Sequence, residues 1–217
     1  LDVGVEDLKS GKIRFVGDPE KRIQEDYLRI LRYFRFYATH GRDDLRAEEL
    51  KLCQRYADKI LILSKERITS EFLKILSSHK PSHVLSLMHE YDVLSDYIDC
   101  DGFEILTNII ALQDRYQSFN IVSRLFLIMS QRTADNSFLQ LSNKDKKFMA
   151  HLGLALEQLS NSELSIKMIK EISYHFSLEL AFQSGLVFLS MNNLESYPSA
   201  IEDFFQDALV PIFPLKG

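Results

Sequence analysis

Cysteine is scarce in this chain: Cys53 and Cys100 are the two among 217 residues. Two thiols cannot form a disulfide framework, and no Cys-x-x-Cys offers a metal clamp, so a reducing compartment, the cytoplasm, is expected. Long apolar runs are missing too. None reaches the roughly 18 residues that a membrane span requires, and the first residues, LDVGVEDLKS, lack the basic-then-apolar order of a secretory signal. No Ser lies in a Gly-x-Ser-x-Gly setting and no His-Asp dipeptide is present, which removes two common hydrolase readings. No repeat of fixed period suggests a solenoid.

Positive charge is also short overall, with a net of −5 that by itself argues against a nucleic-acid partner. The average conceals an asymmetry. Residues 1–80 hold 17 Lys and Arg against 14 Asp and Glu, whereas residues 81–217 hold 9 against 17. Six arginines fall between Arg14 and Arg42, and the planar guanidinium fork suits phosphates and base edges. An anionic ligand is expected there.

What is present is almost entirely helical pattern, and the fold class is read as all-α. Ser10-Gly11-Lys12 separates two short apolar stretches and suggests a hairpin or a remnant of a sheet. Asp18-Pro19 supplies an N-cap and a first-turn proline for a helix expected to run to Gly41. Further helices are expected near 45–60, 65–77, 81–91, 103–116, 120–131, 143–159, 164–190 with one break, and 198–209. Phe119, Leu125, Phe126 and Met129 are expected in a core.

The stretch EDYLRILRYFRF, residues 25–36, holds the densest chemistry. On a wheel of 100° per residue Ile23, Tyr27, Ile30, Leu31, Phe34, Tyr37 and Ala38 form an apolar stripe. Glu25, Arg29, Arg32 and Phe36 lie opposite, with Asp26 at the margin. Such a face reads either as solvated pairs that support the helix or as acceptor, donor and stacking surface for a base edge. The wheel does not choose. His79, His83 and His89 share no helical face, and Asp99-Cys100-Asp101 reads as a helix-ending loop, so no metal site is expected from either.

Ordered motifs around this stretch carry a resemblance. Gly4, Asp7, Leu8, Gly11, Ile13 and Arg14 form G-x-x-D-L-x-x-G-x-I-R; Gly17-Asp18-Pro19 and Arg22 form G-D-P-x-x-R. Glu25, Asp26, Arg29 and Arg32 form E-D-x-x-R-x-x-R, and Glu66, Arg67, Glu71 and Lys74 mark KERITSEFLKIL. The series resembles the class II tRNA nucleotidyltransferases, the CCA-adding enzymes and their bacterial poly(A) polymerase relatives; the closing PIFPLKG resembles the lead into that family's tail.

The resemblance implies a multi-helical neck and body with a short β or loop remnant of the catalytic head. Residues 1–17 would close the head, 18–80 form the neck, and 81–217 form an RNA-contacting body without most of the tail. It implies template-independent addition of CMP and AMP, from CTP and ATP, to the 3′ end of tRNA. Asp26 and Arg29 would stand in for a pairing base, because a carboxylate accepts from a base amino group while a guanidinium donates to a ring acceptor. Glu25 and Arg32 would orient that pair or contact phosphate, Asp7 and Arg14 would serve the connection between head and neck, and Arg67 and Glu71 would brace the neck. Mg²⁺ would be held by the upstream head, so this stretch alone would hold no catalytic or metal-binding residue and lack transferase activity. Poly(A) synthesis and a non-catalytic helical module that binds RNA or protein are the alternative readings.

Overall fold

The computed structural model describes residues 11–42, 45–78, 80–98, 102–129, 138–161 and 164–209, with residues 208 and 209 described by their backbone alone. The described residues are helical apart from turns, loops and one isolated antiparallel bridge, Ile98 to Met129. The chain is all-α. Residues 1–10, and with them Asp7 and half of the expected hairpin, lie outside the described residues; its other half, from Gly11 to Val16, forms no strand. Gly11 turns the chain with φ +71°, and its carbonyl accepts from the Arg42 amide at 3.1 Å. Only glycine adopts that backbone without strain.

Two compact units are present, the first from residues 1–103 and 128–141, the second from 104–127 and 142–217. Helix α5 (Pro81–Glu90) packs on the preceding helices of the first unit, and His83 Nε2 lies 3.1 Å from the Tyr37 hydroxyl.

The first unit opens with α1 (Pro19–Glu25), capped as expected: Asp18 Oδ1 accepts from the amides of Glu20 and Lys21. The helix does not continue to Gly41. Asp26 is extended (φ −158°, ψ 104°), and α2 starts afresh at Leu28 and runs to His40. The cause is local: Asp26 Oδ1 accepts from the Leu28 amide at 3.1 Å, so a short polar side chain supplants a rung of the helical ladder. A single wheel therefore does not describe residues 19–40. Within α2 the apolar stripe is real, with Ile30, Leu31, Phe34, Tyr37 and Ala38 buried together with Leu28 and Tyr33. Tyr27, placed in that stripe by the wheel, is half-buried beside the Tyr56 ring. Helix α2 packs on α4 (Lys65–Leu76), whose Ile68, Phe72, Ile75 and Leu76 are buried. Between them run α3 (Ala47–Arg55) and a 3-10 segment, Ala57–Ile62.

The second unit takes its helices from the latter part of α6 (Gly102–Arg115), α7 (Ile121–Ile128), α8 (Asn143–Ser160), α9 (Ile166–His175), α10 (Leu178–Met191) and α11 (Ser199–Leu209). The expected single break in 164–190 falls at Phe176 and Ser177, where Ser177 Oγ accepts from the Leu180 amide at 3.0 Å. Helix α10 is buried on nearly every side, as a helix apolar all round must be. One core expectation fails. Leu125 and Met129 are buried, but Phe119 is 58% exposed in the α6–α7 connection, with the Arg124 guanidinium 4.7 Å from its ring centre. A residue between two helices has no helical face, so periodicity does not apply to it.

Candidate functional site

The arginines of α1 and α2 converge on a cavity of about 420 Å³. Arg22, Arg29 and Arg32 line one side with Tyr33, Phe36 and His40, and residues Lys12 to Val16 line the other. Arg14 is thus part of the wall. Guanidinium groups next to aromatic rings suit a ligand with both negative charge and a flat face.

Glu25, Asp26, Arg29, Arg32, Arg67 and Glu71 each have a defined partner. Glu25 Oε2 accepts from Arg22 and from Arg29, both at 2.7 Å, and Arg29 Nη1 also donates to the Arg22 carbonyl at 2.9 Å. Arg29 is thereby held across the break between α1 and α2, its side chain 25% exposed. Asp26 faces a different partner. Arg67 Nη2 donates to Asp26 Oδ1 at 3.0 Å and Oδ2 at 2.8 Å, and Asp26 is not among the residues that line the cavity. The structure therefore pairs Glu25 with Arg29 and Asp26 with Arg67, and does not pair Asp26 with Arg29. Asp26 keeps some access to solvent, with its side chain 23% exposed.

Arg32 reaches neither Asp26 nor Glu25; its ion partner is Glu71 Oε1 at 3.9 Å. Glu71, buried at the junction of α2 and α4, is a cation hub: Arg35 Nε donates to its Oε2 at 2.5 Å and Lys74 Nζ to its Oε1 at 3.2 Å. The Arg35 guanidinium also lies 4.2 Å from the Phe36 ring centre. Sequence reading missed the parts played by Arg35 and by Arg67 on Asp26. Arg35 was legible as the third arginine at a spacing of three, but a contact between residues 26 and 67 leaves no local signal.

Behind the cavity lies a second group that was not foreseen. The Tyr33 hydroxyl donates to Glu49 Oε2 at 2.7 Å, and the Phe15 amide donates to Glu49 Oε1 at 3.4 Å. Burial, reinforced by the Glu49 carboxylate, pushes the Tyr33 hydroxyl well above its ordinary range. Burial and then Glu49 push the neighbouring Cys53 thiol up to about 12.

No set of three or more metal-ligating side chains occurs among the described residues. His83 meets Tyr37 and the His89 ring meets Phe103, while His79, Asp99, Cys100 and Asp101 lie outside the described residues.

Comparison with known proteins supports the family resemblance over part of the chain. Residues 45–97 match a family described as the probable RNA and SrmB-binding site of polymerase A. The human mitochondrial CCA tRNA nucleotidyltransferase 1 is 34% identical over 150 residues, 66% of this chain and 34% of the human protein. Over the region it spans, the chain is similar to the CCA-adding enzymes and to a family model of polymerase A. It spans about a third of the length of its human relative. The fold agrees with solved CCA-adding enzymes. A Thermotoga maritima CCA-adding enzyme complexed with tRNA superposes with TM-score 0.64 at 18% identity, covering 98% of this chain and 54% of that one. A CCA-adding enzyme solved with ATP gives 0.62 at 18% identity, covering 99% and 55%. The polymerase-A match contains α3 with Glu49 and α4 with Arg67 and Glu71, whereas the Glu25 to Arg35 series precedes it. No helix of the described residues is long and apolar enough to cross a membrane.

Proposed function

We propose that this chain is the neck and body of a template-independent nucleotidyltransferase that adds CMP and AMP, from CTP and ATP, to the 3′ end of tRNA in the cytoplasm. The observation that carries the proposal is the convergence of Arg22, Arg29 and Arg32 with Tyr33 and Phe36 on one cavity. The names of the relatives and the tRNA and ATP complexes of structural neighbours support it.

In this reading the arginines draw the nucleotide in. Arg29 exchanges its Glu25 contact for a ring acceptor of the base, and Glu25 restores the resting position when the base leaves. Asp26 lies outside the cavity lining and is held by Arg67 through both oxygens, so it accepts from the base amino group by turning from Arg67 towards Arg29 as the base enters. Cytosine and adenine each offer an amino donor and an acceptor, so a small shift of the same two side chains serves both. Arg32 is the phosphate contact, and Glu71 keeps it and Arg35 aligned. Asp7 and Arg14 would belong to the connection with the head, where bound Mg²⁺ would supply activation of the RNA hydroxyl and neutralisation of the leaving pyrophosphate. The body supports the tRNA.

The test is incorporation of CTP and ATP by the full-length protein into tRNA lacking its CCA end, wild type against Arg29→Ala. The variant is expected to lose discrimination between bases while its stability falls by under about 1 kcal/mol, the scale of a part-exposed ion pair. Unchanged discrimination in a folded variant rejects the assigned role. The polymerase-A family match favours poly(A) synthesis as a second reading; unlimited AMP addition, instead of a stop after CCA, would decide for it.

A further inference from the structure

Unlike Glu71, which is also buried in the first unit and gathers three cations, Glu49 has none beside it among the described residues. Its residue is 4% exposed, yet among the described residues no Lys, Arg or His lies within ion-pair distance. A buried carboxylate without a cation is costly, and an aliphatic side chain of similar size would fill the space without desolvation. Its place in the first turn of α3 offsets part of that cost through the helix dipole. What the carboxylate provides, and an aliphatic group does not, is two acceptors. One holds the Tyr33 hydroxyl of α2 and the other the Phe15 amide of the 11–16 segment.

Both held groups belong to the cavity. Phe15 and Tyr33 line it from opposite elements, and their rings stack at 4.7 Å with 13° between planes. The 11–16 segment has no strand partner among the described residues; its backbone is tied at Gly11 by the Arg42 amide and at Phe15 by Glu49. A departure from local rules with no gain in stability is expected where a site is being shaped.

We infer that Glu49 is a positioning residue for nucleotide binding: it never touches the nucleotide but clamps Phe15 to Tyr33, and so sets the wall that faces Arg29 and Arg32. The inference rests on the nucleotide reading above. Opening that clamp loosens the wall, weakening capture of CTP and ATP alike without altering the groups that read the base or perform the chemistry.

The test uses the full-length protein with Glu49→Leu, Glu49→Ala and Tyr33→Phe. Leucine fills the same space with no acceptor, so it cuts both tethers without leaving a void. Two readouts are taken: hydrogen exchange at the Phe15 amide, and KM and kcat for CTP and ATP on tRNA lacking its end. Glu49→Leu is expected to speed Phe15 exchange about tenfold, roughly the loss of one hydrogen bond. KM for both nucleotides is expected to rise by a similar factor, with kcat and base preference kept. Tyr33→Phe should raise KM less, because the stacked ring remains. If Glu49→Ala does not fold, the other two variants carry the test. Unchanged Phe15 exchange in Glu49→Leu overturns the clamp, and faster exchange with wild-type KM overturns the positioning role. A wild type that adds neither CMP nor AMP removes the nucleotide reading itself, which the exchange result does not touch.

Discussion

The two compact units of this chain handle charge in opposite ways. In the first, carboxylates are met by cations: Glu20 by Arg55, Glu25 by Arg22 and Arg29, Asp26 by Arg67, and Glu71 by Arg32, Arg35 and Lys74. In the second, the ion pair among the described residues is Lys167 with Glu171 at 3.9 Å. Its interior polar groups are satisfied mostly by neutral partners. Gln183 accepts from the Ser123 hydroxyl and donates to Ser118, and the Tyr197 hydroxyl donates to the Phe182 carbonyl. Exposed pairs contribute between nothing and about 1 kcal/mol each, so stability alone does not explain the first unit's charges. Those of Arg22, Arg29 and Arg32 hold guanidinium groups in the wall of a cavity. The second unit is held by packing, and it tolerates steric change least.

The sharpest way to break this contrast is steric. A Cβ on Gly185 in α10 would lie 2.6 Å from Tyr197 Cε1, and Tyr197 is 3% exposed. Gly185→Ala is expected to destabilise by about 3 kcal/mol despite the better helix propensity of alanine, and the loss should not depend on salt. A thermal midpoint equal to wild type would show that the second unit is packed more loosely than described.

Glu71→Ala comes next, leaving Arg35, Arg32 and Lys74 without their acceptor. A cost of about 2 to 3 kcal/mol is expected in denaturant unfolding, less in high salt because the cations are partly exposed. Arg35→Ala in the same chain should add less than its separate cost, since the two share one interaction.

A smaller, pH-dependent effect sharpens the comparison from the core side. Folding raises the Cys53 thiol from an ordinary value near 8.5 to about 12, so the protonated form is favoured in the folded state. The stability this contributes is whole below about pH 8.5 and declines as pH rises towards 12, because the unfolded thiol ionises first. Tyr33 is shifted in the same direction. Cys53→Ala should flatten the alkaline decline in urea midpoints, and native Cys53 should resist alkylation at pH 8. Rapid labelling of the folded protein would contradict its burial. The smallest effect is Lys167→Ala, a few tenths of a kcal/mol at most, since this exposed pair has the less favourable order, Lys before Glu.

Much of this was legible beforehand. The Asp18 cap, the stripe of α2, the extent of α4 and the break before α10 all follow from signals acting within one or two turns. The motifs that carry the family resemblance are likewise strings of neighbours. The break at Asp26 was missed because an aspartate inside a helical pattern can either stay in the ladder or cap a new helix, and periodicity weighs only the first. Phe119 was misplaced because hydrophobicity was read without asking whether a helix surrounds it. Glu49 escaped notice because a first-turn glutamate ordinarily reads as solvated.

The amino-acid sequence by itself determined where helices form, which faces they bury and which family the chain resembles, since caps, periodicity and motif spacing operate over a few residues. Tertiary structure alone decided that Asp26 answers to Arg67, that Glu71 gathers three cations, and that Glu49 lies buried between Phe15 and Tyr33. The Arg67, Arg35 and Phe15 contacts join residues 34 to 41 positions apart. Such pairings have no local signature, because they come into being only when packing brings distant helix faces within hydrogen-bond reach and excludes the water that would otherwise satisfy them.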